Sequence, residues 1–74
     1  MNPLYIQVKK QITESLVNAE WVPGKSIPSE IELAQRYSVS QGTVRKAIDD
    51  LVADKILIRM QGKGTFVSTH NEEN

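Results

Sequence analysis

The stretch from Ser38 to Leu51 constrains the fold of this chain most, because it combines a turn, a capped start and an amphipathic helix. A helical wheel turns by about 100° per residue, and on it four apolar residues share one narrow stripe. These are Val44, Ala47, Ile48 and Leu51. The opposite face carries few bulky apolar groups. It could meet a partner or be an ordinary solvated surface, and the rest of the chain must decide.

Length and composition limit the chain to one small domain. Its 74 residues can bury only a marginal core, and it has no cysteine to add a disulfide or a thiolate metal site. No apolar run approaches the ~20 residues of a membrane span, and the first residues lack the basic start of a signal peptide. We expect a folded, cytoplasmic protein that does not contact membranes.

The charge is unevenly distributed along the chain. Net charge is zero, which argues against a generically basic nucleic-acid binder. Between Arg36 and Val67, however, six bases stand against three acids, a local charge of +3. A local excess of this size is compatible with an anionic partner but does not establish one.

A first helix is predicted from about Leu4 to Ala19, where apolar residues recur at helical spacing. Lys9 and Lys10 fall between the apolar positions, and we expect them to form a solvated face. Pro followed by Gly at positions 23 and 24 then suits a type II turn. Trp21, before that turn, is expected to anchor the turn against the first helix.

A second helix is predicted to begin with a capping box, in which Ser29 and Glu32 each bond the other's backbone N–H. It continues for about two turns to Tyr37. After a short turn, Ser40 caps the third helix, which runs to about Asp54. Two helices joined by a turn of this length, with a small residue at the crossing, indicate a helix-turn-helix.

Beyond the third helix the pattern changes to that of strands. Residues 56–60 and 65–68 are rich in strand formers, and a four-residue loop, Gln61 to Gly64, lies between them. A hairpin in this position is the wing of a winged helix-turn-helix, and a short strand near Ser26-Ile27 could join it. The expected fold is mainly α with a small β-hairpin (α+β): three helices and a two-stranded wing.

Three motifs, in this order and spacing, resemble the DNA-binding domain of the GntR family of bacterial transcription regulators. They are Pro28-Ser29-Glu30, Thr43-Val44-Arg45 and Gly62-Lys63-Gly64-Thr65-Phe66-Val67. The resemblance covers roughly residues 4–67. It implies a winged helix domain, residues 1–69, at the start of a longer metabolite-responsive regulator, most often a repressor.

The resemblance also implies partners. Double-stranded operator DNA would be bound by a homodimer of the full-length protein. A small-molecule effector is expected only for a C-terminal domain that this chain lacks. Residues 70–74 are interpreted as a disordered tail that begins the linker to that domain.

The chain departs from the family pattern at four positions. Gln41 and Ile31 stand where the family commonly has arginines that contact DNA. Gln41 could still read a base, because glutamine can pair bidentately with adenine. Ser38 and Lys55 stand where glycine is common, which bears on the geometry of the helix ends.

The candidate site combines the start of the third helix with the wing. Arg45 has the fork geometry to pair with a guanine or a phosphate, and Gly42 would let the helix approach the groove floor closely. Lys63 would contact the minor groove or a phosphate. The predicted DNA-binding residues are Ser29, Ser40, Gln41, Gly42, Thr43, Arg45, Lys46, Gly62, Lys63, Gly64 and Thr65.

Other charged residues limit this site. Asp49 and Asp50 would repel phosphate, so only the first two turns of the third helix should enter the groove. We favour a structural role for Asp49, which could orient Arg45 through an i,i+4 contact. Arg36 and Arg59 are secondary candidates, because the pattern leaves their faces open.

Two other classes of function compete with DNA binding. An enzyme is not expected, because His70 is the only histidine and no triad, metal cluster or cofactor site can be composed. The main alternative is a winged helix used as a protein–protein interaction module, which the zero net charge favours. Against it, the outward face of the third helix offers no hydrophobic anchor. Arg45 as a solvated arginine and Lys63 as a plain hairpin tip remain the structural alternatives.

Overall fold

The computed structural model describes residues 3–69, which form three helices and one hairpin. The elements are α1 (Leu4–Val17), α2 (Glu30–Tyr37), α3 (Gln41–Ala53), β1 (Leu57–Met60) and β2 (Gly64–Val67). This order confirms the expected winged helix. None of these three helices is long and apolar enough to cross a membrane. The predictions for His70 and the tail, residues 70–74, lie outside the described residues.

The core is built around the apolar stripe of α3. All four of its residues are completely buried, and Val8 and Ile12 of α1 and Leu33 of α2 pack in the same cluster. The other members of the core are Trp21, Ile27, Leu57 and Val67. Because the stripe faces this core, the polar side of α3 is exposed on the surface.

Lys9 holds α1 to α3 rather than forming a solvated face. Its ammonium lies 3.8 Å from the carboxylate of Asp50 and 3.4 Å from that of Asp54. The expectation for Lys9 was wrong because the helical pattern of α1 alone does not show which charges on α3 face it.

Each of the three helices is followed, within two residues, by a residue with left-handed backbone geometry that is not glycine. These residues are Ala19 (φ 63°), Ser38 (φ 57°) and Lys55 (φ 65°). In each case two N–H groups turn back onto the last turn of the helix, which is the pairing of a Schellman motif. The helix α1 therefore ends at Val17, before the predicted Ala19, because Ala19 has left the right-handed region.

The wing is a tight antiparallel hairpin. Met60 pairs with Gly64, and the N–H of Lys63 donates to the carbonyl of Met60 at 2.9 Å. The loop thus has three residues, 61–63, instead of the four predicted, because Gly64 already belongs to β2. A bridge between Ser26 and Phe66 adds the segment before α2 to this sheet, as expected. The wing and the start of α2 are therefore held side by side.

Candidate nucleic-acid interface

A groove runs between the start of α2, the start of α3 and the wing. It is lined by residues 26–31, Gln41 and residues 59–65. The fold brings six of the predicted DNA-binding residues into this groove from three separate segments. They are Ser29, Gln41, Gly62, Lys63, Gly64 and Thr65.

The start of α3 has the N-cap geometry that was predicted for Ser40. Ser40 Oγ accepts from the N–H of Thr43 at 3.1 Å, and the two hydroxyls lie 2.9 Å apart. A Cβ on Gly42 would meet nothing closer than Ser40 Oγ, at 3.9 Å. Packing within the protein therefore does not require glycine at this position, which leaves room for the close approach of a partner.

The glycines of the wing have a different explanation. Gly62 has φ 79° and Gly64 has φ 118°, and neither would bring a Cβ within 4 Å of another atom. Positive φ is strained for other residues, so the hairpin itself accounts for both glycines. Lys63 lies exposed between them, at the tip of the wing.

Ser29 caps α2. Its Oγ accepts from the N–H of Glu32 at 3.1 Å, and its own N–H donates to Glu32 Oε1 at 3.0 Å. This confirms the capping box. A contact of Ser29 with a phosphate stays a prediction.

One carboxylate connects the two candidate base-reading residues. Glu30 Oε1 accepts from Gln41 Nε2 at 3.4 Å and from Arg45 Nε at 3.3 Å. The side chain of Glu30 is only 17% exposed. Burial alone would raise the pKa of this carboxyl, but hydrogen bonds from Arg59 and Gln41, with the charge of Arg45, lower it below its ordinary value. Glu30 is thus a charged acceptor at the base of the site.

Arg59 of β1 lies behind Arg45 and links three elements. It donates to Glu30 Oε2 at 3.0 Å, to Asp49 Oδ1 at 2.6 Å and to the carbonyl of Arg45 at 3.4 Å. Burial would lower the pKa of Arg59, but these two carboxylates outweigh it and raise the pKa. The proposed i,i+4 contact of Asp49 with Arg45 was wrong, because Asp49 pairs with Arg59.

Sequence reasoning missed the roles of Glu30 and Arg59 in the site. A signal for Arg59 was present, because residues two apart in a strand share a face and Leu57 is buried against the helices. The strand period therefore predicts that Arg59 lies on the same face of β1 as Leu57, towards the helices. For Glu30 no such local signal existed.

Lys46 lies apart from the groove. Its ammonium is 4.8 Å from the centroid of the Tyr5 ring, a cation–π contact with α1. Adjacent residues of an α-helix are rotated by about 100° around its axis, so the side chains of Arg45 and Lys46 lie on different sides of α3. If Lys46 contacts DNA, it does so at the α1 edge of the helix.

Ile31 is the most unusual residue of the groove. It is 57% exposed and stands where the family resemblance gives an arginine. Met60, 42% exposed, lines the same groove. This part of the surface is therefore apolar and uncharged.

Arg36 has a structural role in the connection from α1 to α2. It donates to both carboxylate oxygens of Glu20, at 2.6 and 2.8 Å, and lies over the Trp21 ring at 5.3 Å. None of these partners lines the groove. Of the two arginines that the sequence left open, only Arg59 belongs to the site.

The profile of the bacterial regulatory proteins of the gntR family matches residues 4–67. The chain belongs to this family.

Curated relatives match the chain over nearly its whole length. It is 48% identical over 71 residues to the probable fructoselysine utilization operon transcriptional repressor of Escherichia coli (strain K12), which covers 96% of the chain and 29% of that protein. It is 44% identical over 66 residues to the histidine utilization repressor of Pseudomonas putida, which covers 89% of the chain and 27% of that protein. The chain thus spans less than a third of the length of either relative.

Solved structures include relatives on DNA. The crystal structure of AraR(DBD) in complex with operator ORE1 matches with a TM-score of 0.87 and 46% identity, over 92% of this chain and 83% of that chain. A GntR family transcriptional regulator from Listeria monocytogenes gives a TM-score of 0.87 at 25% identity, over 90% of this chain and 59% of that chain. The family and the winged helix fold are confirmed, and the chain is a DNA-binding domain of the gntR type. Both curated relatives bear the names of repressors.

Proposed function

We propose that this gntR-family domain binds a specific operator sequence in double-stranded DNA and acts within a longer transcriptional repressor. The observation that carries the proposal is the groove in which the starts of α2 and α3 meet the wing. The proposal is also supported by the 46% identity to AraR(DBD), whose crystal structure was determined in complex with operator ORE1.

In this proposal the first two turns of α3 enter the major groove. Arg45 is 58% exposed and its contacts to Glu30 are long, at 3.3 Å, so it can exchange that partner for a guanine or a phosphate. Gln41 can exchange its 3.4 Å contact in the same way and read an adenine. Ser40, Gly42 and Thr43 shape the helix start that approaches the DNA.

The wing and the cap of α2 supply the contacts around this helix. Lys63 contacts the minor groove or the backbone, supported by Gly62 and Gly64, and Thr65 donates to a phosphate. Ser29 holds a phosphate at the start of α2, and Lys46 contacts the backbone at the α1 edge. Phosphate contacts of this kind fix the position of a domain on DNA but do not read its sequence.

The relatives are longer repressors, which supports a larger assembly than this domain alone. Two copies would bind a two-fold symmetric operator with half-sites about one helical turn apart, ~34 Å. Dimerisation and the response to a small-molecule effector belong to the remainder of such a protein. Its place of action would be the cytoplasm, where bacterial DNA lies.

The test is selection of bound sequences from a random duplex pool, followed by a salt series on the enriched duplex and on a scrambled control. We expect an enriched motif, and an affinity for both duplexes that falls linearly on a plot of log K against log salt. No enriched motif together with a flat salt response would overturn the proposal and favour the protein-interaction alternative.

A further inference from the structure

Arg59 lines the groove, but its partners within the protein argue against the role of a phosphate ligand that its position suggests. It is a cation at the DNA-facing groove, and by charge alone it would count as a phosphate ligand. Its guanidinium is instead occupied by two carboxylates, Glu30 at 3.0 Å and Asp49 at 2.6 Å. Its charge is therefore already balanced within the protein.

We propose that Arg59 is a positioning residue, which ties the wing to α2 and α3 and thereby sets the orientation in which Arg45 meets DNA. The inference deepens the proposed function and rests on it. Arg59 reaches Arg45 in two ways, through the shared carboxylate of Glu30 and directly through the backbone carbonyl of Arg45, at 3.4 Å.

The contact lengths and exposures decide which arginine can leave for DNA. Arg45 is 58% exposed and its nearest contact to Glu30 is 3.3 Å, whereas Arg59 is 37% exposed and its contacts are 2.6 and 3.0 Å. Removing Arg59 from the cluster would leave the mostly buried Glu30 without its shortest ion pair, which is unfavourable. Arg45 is therefore the arginine that moves to DNA, and Arg59 the one that stays.

The geometry also explains why this position needs arginine. Arg59 uses separate nitrogens of one planar fork, Nη1 for Glu30 and Nη2 for Asp49. A lysine carries a compact ammonium and cannot present this rigid pair of donors. A phosphate ligand, in contrast, tolerates exchange of arginine for lysine much better, because phosphate needs mainly the charge.

The neighbouring residues Asp49 and Asp50 provide a test, because their substitution should affect the affinity for the selected duplex differently. Asp49 anchors Arg59, whereas Asp50 pairs with Lys9 on the α1 side. Removing either negative charge should strengthen binding to random duplex DNA slightly, because phosphate is repelled less. If Arg59 positions Arg45, Asp49→Asn should nevertheless weaken binding to the selected duplex, and Asp50→Asn should not.

The experiment measures affinity for the selected and a scrambled duplex, over a salt series, in Arg59→Gln, Arg59→Lys, Asp49→Asn and the control Asp50→Asn. We expect Arg59→Gln and Asp49→Asn to reduce the ratio of specific to random binding by about five- to tenfold with an unchanged salt slope. Arg59→Lys should not restore the ratio. In an Arg45→Ala background, Arg59→Gln should have little further effect.

The opposite pattern would overturn the proposal. A phosphate ligand predicts that Arg59→Gln weakens both duplexes equally and lowers the salt slope by about 1, that Arg59→Lys retains affinity and that Asp49→Asn binds both duplexes more tightly. The thermal midpoint of each variant shows that it is folded. If Arg59→Gln does not fold, the contrast of Asp49→Asn with Asp50→Asn decides.

A measurement without DNA separates this inference from the proposed function. Hydrogen exchange at Arg45 Nε, followed by NMR, should be slowed by the bond to Glu30 and should quicken in Arg59→Gln and Asp49→Asn but not in Asp50→Asn. If exchange follows this pattern and the protein selects no duplex, the proposed function fails while the positioning role stands. Unchanged exchange in both variants would refute the positioning role.

Discussion

Two arginine–carboxylate clusters in this small domain use the same chemistry with different consequences. We call them the rear cluster, around Glu20, and the groove cluster, around Glu30. In the rear cluster, Arg36 pairs with Glu20, which is also held by Ser15 Oγ at 2.9 Å. In the groove cluster, the single carboxylate of Glu30 is shared by Gln41, Arg45 and Arg59. One cluster matches its donors and acceptors closely. The other has more donors than Glu30 can hold at short distance.

The difference shows how a domain with zero net charge can still present donors to DNA. Both oxygens of Glu20 accept short bonds from Arg36, so the rear cluster has little to gain from another anion. Gln41 and Arg45 hold Glu30 only at 3.3–3.4 Å and are exposed. A phosphate or base edge can therefore replace Glu30 as their partner at small cost, while Arg59 continues to neutralise the carboxylate.

The largest expected effect is that of Arg45→Ala on DNA binding. If Arg45 reads a guanine, its removal should weaken binding to the selected duplex by about 1–3 kcal/mol, which is roughly five- to 150-fold. The rear cluster and the core are untouched, so the thermal midpoint should change little. Titration by fluorescence anisotropy measures the affinity.

The matched control for this prediction is Lys10→Ala. Lys10 is an exposed cation on α1, a different helix from the one that carries Arg45. Lys9 would be a poor control, because its ion pairs to α3 give it a structural role. Equal losses of affinity in Arg45→Ala and Lys10→Ala would mean that Arg45 contributes only general charge.

A second prediction concerns the rear cluster and pH. The hydrogen bonds from Arg36 and Ser15 lower the pKa of Glu20 from 4.5 to about 2. The stabilisation from this carboxylate is therefore fully present above about pH 4.5 and is lost as the pH falls towards 2. Glu20→Gln should lower the free energy of unfolding at pH 7, and the gap to the unsubstituted protein should narrow between pH 4.5 and 2.

Urea unfolding at several pH values measures this gap, with Glu14→Gln, at an exposed glutamate on α1, as the control. At neutral pH, under conditions where both proteins are folded, Glu20→Gln should bind the selected duplex as well as the unsubstituted protein does. A stability difference that stays constant down to pH 2 would show that ionisation of Glu20 is not its source. A loss of DNA affinity would break the contrast between the two clusters.

The same contrast separates what the sequence could predict from what it could not. The stripe of α3, the capping box of Ser29 and the glycines of the wing are local patterns, and each fixed the geometry of its own element. The partners of Asp49, Arg59 and Lys9 come from other elements, so helical spacing could not identify them. Only the two-residue period of β1, which puts Arg59 on the face of Leu57, carried information across that distance.

The groove itself was predicted only in its composition. The motifs named residues from α2, α3 and the wing, and the fold places six of the predicted residues along one groove. Lys46 shows the limit of this reasoning, because its membership depended on which side of α3 it takes. The structure turns it towards Tyr5 of α1.

The smallest expected effect tests the backbone that carries the rear cluster. Ala19 has left-handed geometry, φ 63°, which is strained by roughly 1 kcal/mol or more for a residue with a Cβ. Glycine removes this strain but adds freedom to the unfolded chain, so Ala19→Gly should stabilise the domain by at most about 1 kcal/mol. Asn18→Gly is the matched control, because Asn18 has φ −82° and should only lose stability. Chemical denaturation measures the free energy of unfolding of both variants.

Since the adjoining Glu20 keeps its charge and its partners in Ala19→Gly, the affinity of this variant for the selected duplex should not change. Destabilisation by Ala19→Gly as large as that by Asn18→Gly would mean that the left-handed turn carries no strain that glycine can relieve.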